Sequence, residues 1–166
     1  MAYYLSLDCS TKSTGWAIFN EKELIDYGCI TITSKDLIKR IKFQTKEIKN
    51  LLQKYNFDTI ILEEVRPDIQ GRMNVHTWKA LMWLQASINF MLYDNNSKIK
   101  IEYMYPSEWR SKCGIPNGKT IKRELAKQLD IKFVHNTYNI TVNDDIADAI
   151  GIGHSYINNL TDELYF

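Results

Sequence analysis

Three short apolar runs crowd into the first 33 residues, and the turns between them are too short for anything but hairpins. Residues 3–8 (Tyr-Tyr-Leu-Ser-Leu-Asp), 16–19 (Trp-Ala-Ile-Phe) and 27–33 read as strands. Thr11-Lys12-Ser13-Thr14-Gly15 and Glu21-Lys22-Glu23 read as the turns. Strands joined this closely pair antiparallel. The pattern then changes. Ser34 reads as an N-cap, and Leu37, Ile38, Ile41, Ile48, Leu51 and Leu52 recur at helical spacing to about residue 55. An apolar strand over 58–65 leads through a loop holding Pro67 and Gly71 to a long helix at about 75–93. A strand at 99–104, a mostly irregular stretch over 106–118, a helix over 119–129 and a last helix from about 143 to 158 complete the chain. Strands separated by helices join a sheet in parallel, through crossovers. The expected fold is therefore α/β: a mixed five-stranded sheet, three antiparallel strands and then parallel crossovers, flanked by helices.

At 166 residues, the expectation is one domain, 1–166, with a core that needs no staples. No window approaches the roughly 18 uninterrupted apolar residues of a spanning helix. The N-terminus has no basic segment and reaches Asp8 too early for a signal peptide. Cys9, Cys29 and Cys113 are odd in number and lack C-x-x-C spacing, so they read as reduced thiols of a cytoplasmic protein. Net charge is +1, which points to no partner class. Its distribution says more. From Arg110 to Lys127 six basic residues (Arg110, Lys112, Lys119, Lys122, Arg123, Lys127) face one acid, Glu124, while carboxylates gather at Asp8, Glu63-Glu64, Glu102 and Asp144-Asp145-Asp148.

Asp8 ends the first strand and Glu63 lies near the end of the fourth, and strand ends of open α/β sheets are where ligands bind. Side chains alternate along a strand, so only one of Glu63 and Glu64 points the way Asp8 does. Asp145 and Asp148 are three apart at a helix start, hence on one face. If that helix crosses near the strand ends, four carboxylates converge, and like charges converge at a cost unless something positive sits between them. Hard divalent cations such as Mg²⁺ prefer oxygen ligands, and two of them about 3.5–4 Å apart can activate water and stabilise a leaving oxygen. Each acid also has a plainer reading. Asp144 and Asp145 complement a helix dipole in its first turn. Asp148, inside the apolar run Ile-Ala-Asp-Ala-Ile-Gly-Ile-Gly, and Glu63, inside an apolar strand, are each either paired within the fold or ligands. Together they favour ligands.

The strand ending in Asp8, the Ile-Leu-Glu63-Glu segment and Asp145-Ile-Ala-Asp148-Ala-Ile-Gly-Ile-Gly, in this order, resemble the RuvC family of Holliday junction resolvases, and more narrowly its bacteriophage branch. The likeness spans about residues 3–158, and the last motif is its most specific part. It implies a ribonuclease H-like fold and a homodimer that nicks paired strands of branched DNA. Mg²⁺ is the implied cofactor, two ions per site with Mn²⁺ able to substitute, held by Asp8, Glu63, Asp145 and Asp148. A phage-encoded member would work in the cytoplasm of its bacterial host. The chain departs from the family at Asp8-Cys9-Ser10, where Asp-Pro-Gly is frequent, and in residues 65–77, which lack an aromatic wedge. Ile69 or Met73 is the apolar candidate there, against simple loop packing.

Lys119 and Lys122 open a helix after Pro116-Asn117-Gly118, a natural phosphate site, and Lys119 matches a basic position of the family. Arg110, Arg66 and Arg72 are the further DNA-contact candidates. On the helix at 75–93, Leu81, Leu84, Ile88 and Met91 form one apolar stripe, with Trp83, Ala86 and Phe90 roughly opposite. The first covers the sheet; the second is expected at a two-fold dimer interface, or else beneath the final helices. His154 reads as structural. Three rivals stand beside the resolvase: a branched-DNA-binding module that does not cut, a ribonuclease H-like nuclease for structured RNA, and an actin-like ATPase, whose first phosphate loop Leu7–Gly15 resembles. The last needs two domains around its nucleotide.

Overall fold

The computed structural model describes residues 1–65, 74–94, 98–118 and 120–162, with side chains to residue 160. Five strands, β1 (Tyr3–Asp8), β2 (Ser13–Asn20), β3 (Glu23–Thr31), β4 (Phe57–Glu63) and β5 (Lys100–Met104), form one sheet in the order β3-β2-β1-β4-β5. The first three pair antiparallel, and β4 joins β1 and β5 in parallel. The expected mixed sheet is thus present. Its hairpins are tighter than the sequence suggested: β2 begins at Ser13 within the expected turn, and β3 at Glu23 rather than Tyr27. Glu21, at φ 52°, makes the β2–β3 reversal.

Alternation along the strands sorts the two faces. Leu5, Leu7, Ile18, Ile60 and Leu62 point to one side, under α1 (Leu37–Leu52) and α2 (Val75–Asp94), with Ile41, Ile48, Leu84 and Ile88 from those helices. Ala17, Phe19, Ile61 and Met104 point to the other, where α5 (Asp144–Asp162) lies with Ala147, Ala149, Ile150 and Ile152 fully buried. The two helices that complete this layer, α3 (Pro106–Lys112) and α4 (Arg123–Tyr138), pack on α5. No helix among the described residues is long and apolar enough to cross a membrane.

The helix ends differ from expectation for local reasons. Asp36, not Ser34, caps α1, accepting from the backbone N–H of Ile38 at 2.9 Å and of Lys39 at 3.1 Å. The stretch expected as irregular contains α3, started by Pro106 at its first position with Glu108 in the first turn. Helix α4 begins after Lys122 and runs on to Tyr138, where Asn139 turns left-handed at φ 56°.

Two glycines of α5 let it lie close to its neighbours, Gly153 to the sheet and Gly151 to α3. A Cβ at Gly153 would sit 2.2 Å from the Phe19 ring and 2.6 Å from Ser6 Oγ, and one at Gly151 2.5 Å from the Trp109 ring. Ser6, fully buried in β1, uses that proximity: its hydroxyl donates to the Ala149 carbonyl at 2.7 Å. The Gly-Ile-Gly of the last motif is therefore a packing device that brings the acidic start of α5 over the ends of β1 and β4.

Candidate active site

Asp8 and Glu63 are set by strand register. Leu7 pairs with Leu62 in parallel, so one step further brings Asp8 level with Glu63 on the α5 face. The β1–β2 pairing puts Gly15 opposite Asp8. A Cβ on Gly15 would lie 1.8 Å from the backbone oxygen of Asp145, so only glycine allows α5 to start here. Asp145 and Asp148 then stand one helical turn apart beside the strand ends. Of the neighbouring acids, Asp144 turns away to an ion pair with Lys127 of α4, which holds its carboxyl below the usual range. Of the pair, Asp145 acts on Asp8 more strongly than Asp144 does.

The electrostatics record the crowding of Asp8, Glu63 and Asp148. Burial raises the Asp8 carboxyl well above its ordinary value, and the charges of Glu63 and Asp145 add to it. Asp148 is pushed up to about 10 by burial, then by Asp8 and Asp130. Glu63 is raised by burial too, against a hydrogen bond from Trp109 that favours its ionised form. Side chains of the surrounding elements donate to these carboxylates. The fully buried Trp109 donates from Nε1 to Glu63 Oε2 at 3.0 Å, and the Ser13 hydroxyl donates to Asp145 Oδ2. Arg110, beside Trp109 on α3, reaches Asp148 Oδ2 at 3.5 Å. Among the described residues no three His, Cys, Asp or Glu side chains form a ready-made metal cage. The donor set nonetheless suits a hard cation: four carboxylates from three rigid elements, three of which, Asp8, Glu63 and Asp148, are held above the usual carboxylate range. Asp148 Oδ1 is buried with no hydrogen-bond partner, the orphan a cation would satisfy.

Sequence reasoning missed Ser13, Gly15 and Trp109, whose contacts join residues far apart in the chain. Only Trp109 left a trace, as a large aromatic just inside a proline-started helix. Arg110, expected on DNA, turns inward. Its side chain is 16% exposed and its guanidinium is held by the buried carboxylate of Asp130, with only a long contact, 3.5 Å, to Asp148. Lys122 is exposed, immediately before α4. Arg66, Arg72, Lys119, Ile69 and Met73 lie outside the described residues. Trp83, Ala86 and Phe90 are exposed on one side of α2, with Phe90 68% accessible, while Leu84, Ile88 and Leu92 face the core. They are not beneath the final helices. His154 is structural as expected: Tyr138 Oη lies 2.8 Å from its Nδ1, and the Phe133 ring packs edge-on. The three cysteines are free thiols.

Comparison with known proteins places these features together. The model of one family, described as crossover junction endodeoxyribonuclease RuvC, matches residues 4–155. The protein of that name from Dictyoglomus thermophilum is 27% identical over 158 residues, covering 92% of this chain and 94% of the relative. The Fusobacterium nucleatum protein of the same name is 29% identical over 169 residues, covering 98% and 83%. In fold, the chain resembles Thermus thermophilus RuvC solved in complex with a Holliday junction substrate, at a TM-score of 0.72 and 9% identity over 97% of this chain and 96% of that one. It also resembles the yeast mitochondrial Holliday junction resolvase Ydc2, at 0.68 and 14% identity over 99% and 81%.

Proposed function

The chain belongs to the RuvC family of crossover junction endodeoxyribonucleases, and from that premise we propose that it is a metal-dependent, structure-selective endonuclease that resolves Holliday junctions by paired nicks. The observation that carries this reading is the convergence of Asp8, Glu63, Asp145 and Asp148 on one end of the sheet. We assign all four as ligands of divalent cations, Mg²⁺ or Mn²⁺, two per site. Such cations, when bound, would make a bound water more acidic and offset charge on the scissile phosphate. The chain's own work is preorganisation. Parallel register fixes Asp8 beside Glu63, Trp109 and Ser13 hold one oxygen each of Glu63 and Asp145, and α5 carries Asp148 over the strand ends. A non-cutting binding module would have no use for four crowded acids, which repel phosphate unless cations intervene.

The proposed nuclease domain spans residues 1–166 and acts in the cytoplasm. The proposed phosphate contacts are Lys122, at the exposed start of α4, with Lys119, Arg66 and Arg72. Selectivity for branched DNA is tested without cleavage. In EDTA, a labelled four-way junction bound to the protein should resist a large excess of linear duplex and yield to unlabelled junction. Equal displacement by both competitors would contradict structure selectivity.

Paired nicks on a two-fold substrate need two sites related by a two-fold axis, so the active form is a homodimer. The proposed interface is the outward stripe of α2, centred on Trp83, Ala86 and Phe90, with Met82 and Tyr93 also exposed along it. Trp83→Glu or Phe90→Glu, which places a charge in that stripe, should give a monomer by light scattering with an unchanged circular dichroism spectrum. A persisting dimer would exclude this face.

A further inference from the structure

The buried carboxylate of Asp130 takes no part in the site as described, yet it is the best-held acid near it. It lies on α4, is 0% exposed and accepts three hydrogen bonds from Arg110: Nε to Oδ1 at 3.0 Å, Nε to Oδ2 at 3.1 Å and Nη2 to Oδ2 at 2.8 Å. This is the two-pronged geometry in which a guanidinium matches a carboxylate most strongly. The Trp109 ring, 4.4 Å from the guanidinium carbon, backs it from one side. Arg110 Nη2 consequently stops 3.5 Å from Asp148 Oδ2, beyond a good charge-assisted bond, and Asp148 Oδ1 has no partner at all. The cation is close enough to offset charge around Asp148 and too firmly held elsewhere to occupy it.

We propose that Asp130 is a positioning residue that tethers Arg110, so that the arginine's contact with Asp148 stays long and confined to Oδ2, and Asp148 Oδ1 stays open to a divalent cation instead of being drawn into a close, two-pronged ion pair. The inference rests on the metal-dependent reading above. It concerns what competes with the cation, and Asp130 touches neither the cation nor the DNA. Removing the charge of Asp130 frees the guanidinium to move onto Asp148, where it fills the place a cation needs.

The test is Mn²⁺ binding to the DNA-free protein, followed by electron paramagnetic resonance of free Mn²⁺, alongside thermal melting and nicking. In Asp130→Asn the Mn²⁺ midpoint should rise by about 10–100-fold, the range for a group that orients a ligand from behind. Junction binding in EDTA should be unchanged. The decisive comparison is in an Arg110→Gln background, where the intruding cation is gone: there Asp130→Asn should not raise the midpoint further. A purely structural role predicts equal losses in both backgrounds, tracking the melting temperature, and that result would overturn the proposal. Should Asp130→Asn fail to fold, Asp130→Glu keeps the charge and shifts the fork. It should raise the midpoint less than about tenfold, and a loss of about 100-fold or more would overturn the tether. Wild-type protein that binds no Mn²⁺ would overturn the metal-dependent reading itself. Wild-type binding with an unmoved Asp130→Asn midpoint would overturn the tether alone.

Discussion

Glu63→Gln and Asp8→Asn should each lower junction nicking by about 10³-fold or more while the fold and the binding of junction in EDTA persist. The size follows from removing one preorganised charge from a site that stabilises the transition state electrostatically. The shape is kept, because the amide oxygen that Glu63→Gln introduces can still accept from Trp109 Nε1, as Glu63 Oε2 does at 3.0 Å. The sign of the stability change is the informative part. Burial and its acidic neighbours raise Asp8 well above the ordinary carboxylate range, so in metal-free protein its charge is a liability. Asp8→Asn should therefore melt at the same temperature or higher without metal, and lose the extra stabilisation that Mg²⁺ gives the wild type. An acid retained for structure would behave in the opposite way, with melting falling and nicking surviving in proportion to the folded fraction.

The second large effect is expected at a residue with no chemistry. Gly15→Ala puts a Cβ 1.8 Å from the Asp145 backbone oxygen and 2.4 Å from its carbonyl carbon, and backbone atoms of two packed elements cannot move aside as a flexible side chain can. Helix α5 must lift from β2, carrying Asp145 and Asp148 away from Asp8 and Glu63. A cost of about 3 kcal/mol lies at the upper end for overpacking. For a domain of this length that corresponds to roughly 6–12 °C in melting temperature. Nicking should fall further than stability does, because a displacement of about 1 Å in a catalytic constellation is itself worth about 100-fold. A Gly15→Ala protein that melts and cuts like the wild type would show that the approach of α5 to β2 does not set the site.

The parts of the site written in local pattern were legible in the sequence. Asp8 and Glu63 stand at the ends of apolar strands, and Asp148 interrupts an apolar helical run, so each violates the rule for its neighbours and draws notice. The strand orientations followed from turn length and from helices between the later strands. What the sequence did not disclose is non-local. The ion pair that takes Asp144 aside depends on Lys127, 17 residues away. The inward turn of Arg110 depends on Asp130, which lies one residue past the expected end of its helix and is buried only because α4 runs on to Tyr138. Helix α3 escaped because seven residues carry too little periodicity, and because Pro106 reads equally well as a loop residue and as a helix start. Ser34 and Asp36 are both good caps by composition, and only the Asp36 hydrogen bonds to Ile38 and Lys39 decide between them.

The central claim is that four converging carboxylates make this chain a metal-dependent resolvase, and the most direct measurement is cleavage of a labelled synthetic four-way junction with Mg²⁺, with Mn²⁺ and with EDTA. The account predicts nicks paired symmetrically across the junction in either metal, ends that a ligase reseals, and no product in EDTA. Tight binding to the junction with no cleavage in either metal, or cleavage undiminished by EDTA, would contradict it.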